Sequence, residues 1–161
     1  MKPAPAGVAA ALEAVIQTLW VGSLWTVGYL VAPALFAHFP DTATAGRVAG
    51  RLFTLVTWLG LGCAAALLLL MRLRRGAQRA RVRLVLVMAG LLAASHFLVR
   101  PLMEAARLPD GTPGPGFGAW HGVSSLLYLA ASLAGLALVI RAAGERAQAG
   151  SRTPGESGSG R

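Results

Sequence analysis

Four apolar segments, each about as long as a bilayer requires, constrain the fold of this chain more than any other feature of its sequence. They cover residues 14–37, 52–71, 84–104 and 117–140. A transmembrane helix needs about 20 predominantly apolar residues, and only helices and closed barrels satisfy their backbone polar groups inside lipid. The chain is 55% hydrophobic and 13% charged, which is typical of a polytopic membrane protein. The sequence therefore predicts an all-α integral membrane four-helix bundle that contacts the lipid bilayer.

Polar and helix-breaking residues between these segments set the predicted boundaries. Phe39-Pro40-Asp41 is typical of a turn, and the loop at 107–118 is rich in Pro and Gly. A secretory signal is the alternative for the first segment, but the apolar region of a signal has only about 7–15 residues. We expect a transmembrane domain over 1–143 and a disordered polar tail over 144–161. The predicted helices cover about 11–37, 42–73, 82–104 and 117–141.

Arginines indicate the orientation of the bundle. Six of them fall among residues 72–83, between the second and third helices, and Arg141 and Arg146 follow the fourth helix. The loop between the third and fourth helices contains only Arg107. Because cytoplasmic loops carry an excess of Lys and Arg, we expect both termini in the cytoplasm, in a multi-pass protein of the bacterial inner (cytoplasmic) membrane.

Several functional classes are disfavoured by the same sequence. The net charge of +9 does not indicate a nucleic-acid partner, because the arginines lie between apolar runs and not on a polar surface. No P-loop, dinucleotide fingerprint, nucleophile motif or pair of carboxylates is present. Enzyme chemistry without a bound cofactor is therefore not expected.

The third segment carries a polar stripe. His96, Arg100 and Glu104 are four residues apart, so they project from one helical face. Ionisable groups in a membrane helix usually face the bundle interior or an aqueous cavity. In the expected orientation, several cationic and imidazole side chains gather near the outer ends of their helices. The sequence thus predicts an outward-facing ligand pocket that is formed by Arg47, Arg51, His96, Arg100 and His121.

The ligand of this pocket is left open between a small anion, a metal ion and a haem group. His96 and His121 are the candidate metal ligands, but a rise of 1.5 Å per residue puts them about 10 Å apart in depth. One haem iron does not bridge that distance in straight helices. A haem held by His96 alone, with Arg100 or Arg47 on its propionates, remains an alternative, as does a copper site. The plain structural reading is that His96 bonds a neighbouring helix and Arg100 reaches toward headgroups.

Other residues fit structural roles. Glu13 lies near the inner surface and is interpreted as a solvated residue at a helix start, while Trp58 and Cys63 are interpreted as buried packing residues. Two pairs of small residues allow close helix approach. The pairs are Gly46 with Gly50 and Gly118 with Gly122. They predict a homo-oligomer or an accessory subunit of a larger membrane complex.

Residues 12–60 resemble the opening of a bacterial family of small four-helix membrane proteins that is known only as a domain of unknown function. That family includes a human transmembrane protein linked to cisplatin resistance. The residues that carry the resemblance are Trp20-x-Gly22, Ala32-Pro33-x-Leu35-Phe36, Ala45-Gly46-Arg47 and Arg51-Leu52-Phe53.

More distantly, the chain is similar to the CopD copper-resistance membrane domain and to the HemJ-type protoporphyrinogen oxidases. The HemJ-type enzymes carry a histidine haem ligand about two turns before the tryptophan of this pattern, where this sequence has Glu13. The resemblance implies a four-helix fold with a pocket between helices, and haem or copper as candidate cofactors. A haem-dependent HemJ-like oxidase is the third functional alternative, after a binding or transport protein and an accessory subunit.

Overall fold

The computed structural model describes residues 6–73 and 79–151, which form four long helices. Residues 74–78, in the arginine-rich loop, and 152–161, in the predicted tail, lie outside the described residues. Two of the helices contain a π-helical turn. The helices are α1 (Ala6–Trp25, π-helical Thr26–Val31, Ala32–His38), α2 (Thr42–Leu73), α3 (Arg79–Ala94, π-helical Ser95–Val99, Arg100–Ala105) and α4 (Phe117–Ser151).

All four helices are long and apolar enough to cross a membrane, with mean hydropathies from 1.5 to 2.2. Many large apolar side chains lie on the outside of the bundle, such as Leu30 and Leu126, each 67% exposed. Lipid acyl chains are the surroundings that such a surface requires. The predicted all-α membrane bundle of four helices is therefore confirmed.

The last helix is longer than the sequence predicts. Residues 144–151, which we expected in a disordered tail, are helical. Five of its eight residues, those at 145–149, are strong helix formers, and Glu145 forms an ion pair with Arg81 of α3 at 3.1 Å. Local propensity and this tertiary contact extend the helix beyond its apolar part.

Each π-helical turn precedes a proline. Pro33 in α1 and Pro101 in α3 lack a backbone N–H and would clash with the carbonyl four residues earlier in a regular helix. The residue before each proline instead donates its N–H five positions back, to the carbonyl of Val27 in α1 and of Ser95 in α3. The two helices therefore have the same local break at the same place relative to their proline.

The helices surround a common axis. α1 and α3 both pack on α2 and on α4, so α1 and α3 lie diagonally opposite each other. They run in the same direction, toward the end of the bundle where α2 and α4 begin. We call that end distal, and the opposite end, where α1 and α3 begin, proximal.

The two hairpins α1–α2 and α3–α4 are built alike. Glu13 and Arg81 are separated by 68 positions, and so are Pro33 and Pro101, whereas the first residues of α2 and α4 are separated by 75. Buried positions repeat with the same offsets. The matching buried pairs are Gln17 with Val85, Trp20 with Met88 and Leu24 with Leu92, then Val56 with Ala131, Thr57 with Ser132, Gly60 with Gly135, Cys63 with Leu138 and Leu67 with Ala142. The bundle therefore has an approximate two-fold axis along its length.

The packed core lies midway between the two ends. Trp20 is fully buried there, together with Leu24, Leu67 and Met88. Gly60 of α2 makes room for the indole, because a Cβ at that position would lie 2.5 Å from Trp20 Nε1. This core separates the distal half of the axis from the proximal half.

A candidate ligand cavity at the distal end

A cavity of about 650 Å³ opens between the distal ends of the four helices. Both π-helical turns contribute to its wall, through Gly28 and Tyr29 in α1 and through Ser95 and His96 in α3. Binding pockets for small molecules have volumes of about 300–1,000 Å³, and π-helical turns often occur at functional sites. The size and position of the cavity thus fit a ligand site.

Arg100 joins α3 to α2 at the cavity wall. Its Nη1 donates a hydrogen bond to the carbonyl of Gly50 at 3.2 Å and a second one to Thr54 Oγ1. Pro101 follows directly, and the break in the helix before it places the guanidinium group against α2. Arg100 is thus held by the bundle and does not extend freely toward headgroups.

A single carboxylate lies between two guanidinium groups. Glu104 Oε2 is 3.2 Å from Nε of Arg107, and its Oε1 is 3.9 Å from Nε of Arg100. Arg107 also donates to the carbonyl of Gly111 at 2.8 Å and lies over the ring of Phe117 at 4.6 Å. All three charged side chains line the cavity.

The two cavity histidines contact different aromatic side chains. The centroid of the His96 ring lies 4.8 Å from that of Phe97 and 6.2 Å from that of Trp58. His121 stacks on Phe117, with centroids 6.0 Å apart and planes at 9°. Within residues 6–73 and 79–151, no group of three or more His, Cys, Asp or Glu side chains is arranged to hold a metal ion.

Tyr128 of α4 closes the floor of the cavity. Its hydroxyl donates to the carbonyl of Leu24, one turn before the centre of the π-helical turn in α1. Its ring packs edge to face on Phe53 at 5.2 Å and on Tyr29 at 6.2 Å. Gly28 is required beside it, because a Cβ there would overlap the ring. The cavity is thus lined by an aromatic cluster as well as by charged side chains.

Capped turns hold the rim of the cavity. Asp41 accepts hydrogen bonds from the hydroxyl of Thr44 and from the amides of Ala43 and Thr44, at 2.9 and 3.0 Å for the amides. These bonds hold the pKa of Asp41 below its usual range, and the bond from the Thr44 hydroxyl has the largest effect. In the α3–α4 loop, the hydroxyl and amide of Thr112 donate to Asp110 and lower its pKa in the same way.

Three of the five residues that the sequence predicts for the pocket line the cavity, namely His96, Arg100 and His121. Arg47 and Arg51 do not. Both are exposed on α2, and Arg47 donates to Thr44 Oγ1 at 2.7 Å. The reason is helical geometry, because the cavity-facing stripe of α2 passes through Gly46 and Gly50, about 100° around the helix from the arginines.

The glycines that we expected to contact a partner helix divide into two groups. A Cβ on Gly46 would lie 3.8 Å from Nη2 of Arg107, and a Cβ on Gly50 would lie 3.9 Å from Nη2 of Arg100. Their open side thus faces the cavity and accommodates guanidinium groups. A Cβ on Gly118 or Gly122 of α4 would meet no atom of another described residue within 4 Å, so these two glycines face away from their neighbours.

A second polar cluster lies near the proximal end. Glu13, which the sequence predicts as solvated, is only 2% exposed and pairs with Nη2 of Arg81 at 2.9 Å. Nη1 of Arg81 pairs with Glu145, whose side chain is 51% exposed, at 3.1 Å. The solvated interpretation of Glu13 is wrong, because its helical face is the one that packs inside the bundle.

Sequence reasoning missed Arg107, Tyr128 and Arg81. Arg107 counts only as a loop charge in the sequence, and Arg81 is one of six similar arginines. The separation of 68 positions that relates both Glu13 to Arg81 and Pro33 to Pro101 is a signal that could have singled out Arg81. Trp58 was expected to be buried but is 55% exposed, because it lies on the lipid-facing side of α2 beside His96.

Comparison with known proteins gives one match. A family model described as a domain of unknown function (DUF4149) matches residues 15–109, which include most of α1, all of α2 and α3, and the beginning of the distal loop. No curated protein and no solved structure matches the chain.

Proposed function

Because the chain belongs to a family that is described only as a domain of unknown function (DUF4149), we propose its function from the distal cavity. The protein is a membrane protein that binds a small organic anion there. The ligand class is a monoanion, with a carboxylate or similar head and an apolar body.

The charge of the cavity carries this proposal. Among the described residues that line it, Arg100 and Arg107 are positive and Glu104 is the counter-charge that contacts both. The described residues that line the cavity therefore carry one more guanidinium group than carboxylate groups. A guanidinium group binds carboxylate and phosphate oxygens through two parallel hydrogen bonds.

The aromatic cluster favours an apolar body on the same ligand. Phe53, Tyr29 and Tyr128 form one aromatic cluster, and all three side chains line the cavity. Aromatic side chains stack on flat or aliphatic groups and bury large areas. A ligand with a charged head and an apolar body fits both parts of the lining.

The geometry favours an anion over a metal ion or a haem. Two imidazoles on one iron or copper would have to share a centre, whereas His96 packs against Phe97 and Trp58 and His121 stacks on Phe117. The alternative of a haem on His96 alone has no further support in these contacts.

Binding can be measured by isothermal titration calorimetry on the protein in lipid nanodiscs. Benzoate carries both a negative head and an apolar body, benzamide lacks the charge, and inorganic phosphate lacks the body. We expect benzoate to bind more tightly than either of the other two. Equal affinity for benzoate and benzamide would show that the positive charge plays no part and would refute the proposal.

Variants assign the effect to residues. Arg100→Gln and Arg107→Gln remove one positive charge each and should weaken benzoate binding about tenfold or more, as expected for loss of a charge-assisted hydrogen bond. Arg47→Gln and Arg51→Gln are the matched controls, because these arginines lie outside the cavity lining. Glu104→Gln should strengthen benzoate binding, since it raises the net positive charge.

We also propose that the cavity faces the outside of the bacterial inner membrane. Arg72, Arg79, Arg83 and Arg141 are exposed near the proximal end, and the positive-inside rule places that end in the cytoplasm. A green fluorescent protein fused at the C-terminus should fluoresce, and an alkaline phosphatase fused there should be inactive. The reverse pattern would place the cavity on the cytoplasmic side.

Association with another membrane helix is a second candidate function. It is supported by the open surface at Gly118 and Gly122 on α4, since small residues four apart let helices approach closely. Gly118→Leu and Gly122→Leu should abolish any dimer or complex that is seen by chemical cross-linking in membranes. Unchanged cross-linking would exclude this surface.

A further inference from the structure

We propose that the ligand of the distal cavity is a single-chain lipid anion, with a carboxylate head and one acyl chain, which enters sideways from the membrane between α1 and α4. This inference rests on the proposed anion binding and adds the class of the ligand and its route. The head lies at the arginines of the cavity, and the chain passes between the two helices into the adjacent leaflet.

The two hairpins separate toward the distal end of the bundle. There, residues 26–38 of α1 pack on α2, and residues 95–105 of α3 pack on α4. Long side chains connect the hairpins, since Arg100 of α3 reaches α2 and Tyr128 of α4 reaches α1. The helices follow one another around the axis in the order α1, α2, α3, α4, so these two connections lie on opposite faces of the bundle.

The face between α1 and α4 is open above Tyr128. The residues that line the cavity there and are also exposed are Tyr29, Pro33, Phe36, His121, Ser125 and Leu129. Tyr128 bonds to the carbonyl of Leu24, deeper in α1, and within the described part of the chain no hydrogen bond or ion pair joins residues 30–38 to α4. A rise of about 1.5 Å per residue makes this opening, from His121 down to Tyr128, about 10 Å high.

The opposite face, between α2 and α3, is bridged by Arg100. Its Nη1 donates to the carbonyl of Gly50 at 3.2 Å and to the hydroxyl of Thr54, both on α2. The guanidinium group therefore lies across the cavity from the opening. A ligand whose head binds Arg100 and whose body extends across the cavity reaches the gap between α1 and α4.

The core below the cavity leaves no room for a long apolar body along the axis. Phe53 and Tyr128 meet edge to face, with ring centroids 5.2 Å apart. Below them, Trp20, Leu24 and Met88 are fully buried. A body that is longer than the cavity must therefore leave it sideways, through the opening.

The edges of the opening suit an acyl chain. Tyr29 and Phe36 of α1 and Leu129 of α4 are about half exposed, and they lie on helices that are long and apolar enough to cross a membrane. The chain of a lipid anion is already in apolar surroundings, so it is not exposed to water when the head enters the cavity. A charge-assisted bond to a guanidinium group then stabilises the carboxylate.

Photolabelling with a palmitate analogue tests this inference. The analogue carries a diazirine near the middle of its chain and is added to the protein in lipid nanodiscs, which are irradiated and analysed by mass spectrometry. We expect adducts at Tyr29, Phe36 or Leu129 that unlabelled palmitate displaces. Palmitate methyl ester, which has the same chain without the charge, should not displace them.

Leu55 of α2 provides an internal control. It is 65% exposed and lies outside the cavity lining, so its adducts report contact with bulk lipid and should not be displaced by either compound. If no adduct at the opening is displaced by palmitate, or if the methyl ester displaces these adducts equally well, the lipid anion is refuted as the ligand.

Arginine variants locate the head of the lipid. Arg100→Gln should lower the displaceable labelling about tenfold or more, as expected for loss of a charge-assisted hydrogen bond. Arg51→Gln is the matched control, because Arg51 is exposed on α2 and lies outside the cavity lining. Equal labelling of the two variants would show that Arg100 does not hold the head.

Tryptophan substitutions test the route. Ser125→Trp places a large side chain in the opening, whereas Val123→Trp places one on the exposed surface of the same helix, outside the cavity lining. We expect the displaceable labelling to be lost in Ser125→Trp and kept in Val123→Trp. Wild-type labelling of folded Ser125→Trp would refute the route. If this variant does not fold, the wild-type adducts decide, since displaceable adducts at Phe97 of α3 in place of those at the opening would also refute it.

Failure of this inference is distinguishable from failure of the proposed function. Benzoate is small enough for the cavity and needs no opening for its body, so its calorimetry reports on the anion site alone. If benzoate binds more tightly than benzamide but palmitate displaces no adducts, the anion site stands and the lipid ligand is refuted. Equal binding of benzoate and benzamide would refute the anion site on which this inference rests.

Discussion

Glu13→Gln and Glu145→Gln remove two carboxylates from the same arginine, yet they should differ strongly in their effect on stability. Glu13 is 2% exposed and lies 2.9 Å from Arg81, whereas Glu145 is 51% exposed at nearly the same distance, 3.1 Å. Removing one partner of a buried pair typically costs about 3–5 kcal/mol. A pair that is open to solvent is worth only about 0–1 kcal/mol. The expected difference of about 3 kcal/mol corresponds to about a 150-fold change in the unfolding equilibrium.

The free energy of unfolding can be measured by titration with sodium dodecyl sulfate in mixed micelles, followed by tryptophan fluorescence. A third variant, Glu13→Gln with Arg81→Gln, no longer leaves the arginine without its buried counter-charge. It should therefore be less destabilised than the sum of the two single variants. Equal destabilisation by Glu13→Gln and Glu145→Gln, or strict additivity in the double variant, would refute the assignment of the stability to a buried pair.

Three further predictions concern single residues. Gly60→Ala should destabilise the bundle by about 1–3 kcal/mol, because its Cβ would lie 2.5 Å from the buried Trp20 indole. Gly62→Ala is the control, since its Cβ would meet nothing within 4 Å. In the same detergent titration it should be neutral or stabilising by up to about 1 kcal/mol. Gly50→Leu should fill the space beside the Arg100 guanidinium, so calorimetry on the folded variant should show loss of benzoate binding. Asp41→Ala should lower the melting temperature at pH 7. The pKa of Asp41 is lower in the folded protein than its value of 3.8 in the unfolded chain. Its contribution to stability is therefore complete above pH 3.8 and is lost as the pH falls through the lower, folded pKa. The difference in melting temperature between wild type and Asp41→Ala should shrink over that fall in pH.

The membrane fold could be predicted from sequence because it depends on a property that accumulates along the chain. Each of the four apolar segments meets the length that a bilayer requires, and no single residue decides the outcome. The π-helical turns can be attributed to Pro33 and Pro101. Only the structure shows that residues of both turns line a cavity.

The site was less predictable because it depends on rotation about helix axes. Arg47 and Gly46 are adjacent in sequence, yet only Gly46 faces the cavity. The sequence indicates that the two residues lie at nearly the same depth in the membrane. It does not show that they are about 100° apart around the helix axis. Arg81 shows the same limit, since its burial depends on a partner in another helix, Glu13, that composition does not reveal.

The approximate two-fold relation shows how the positive charge of the cavity comes to lie on one hairpin only. At equivalent positions, α1 has Ala32 where α3 has Arg100, and each immediately precedes its proline. In the other helix of each hairpin, Phe53 of α2 corresponds to Tyr128 of α4. A symmetric pair of arginines at these positions would add a second positive charge to the cavity, and a symmetric pair of alanines would remove the charge of Arg100. The difference between Ala32 and Arg100 therefore gives a cationic site on one hairpin only. At the other end of the bundle, the difference between Glu13 and Arg81 gives an attractive contact in place of a like-charge pair.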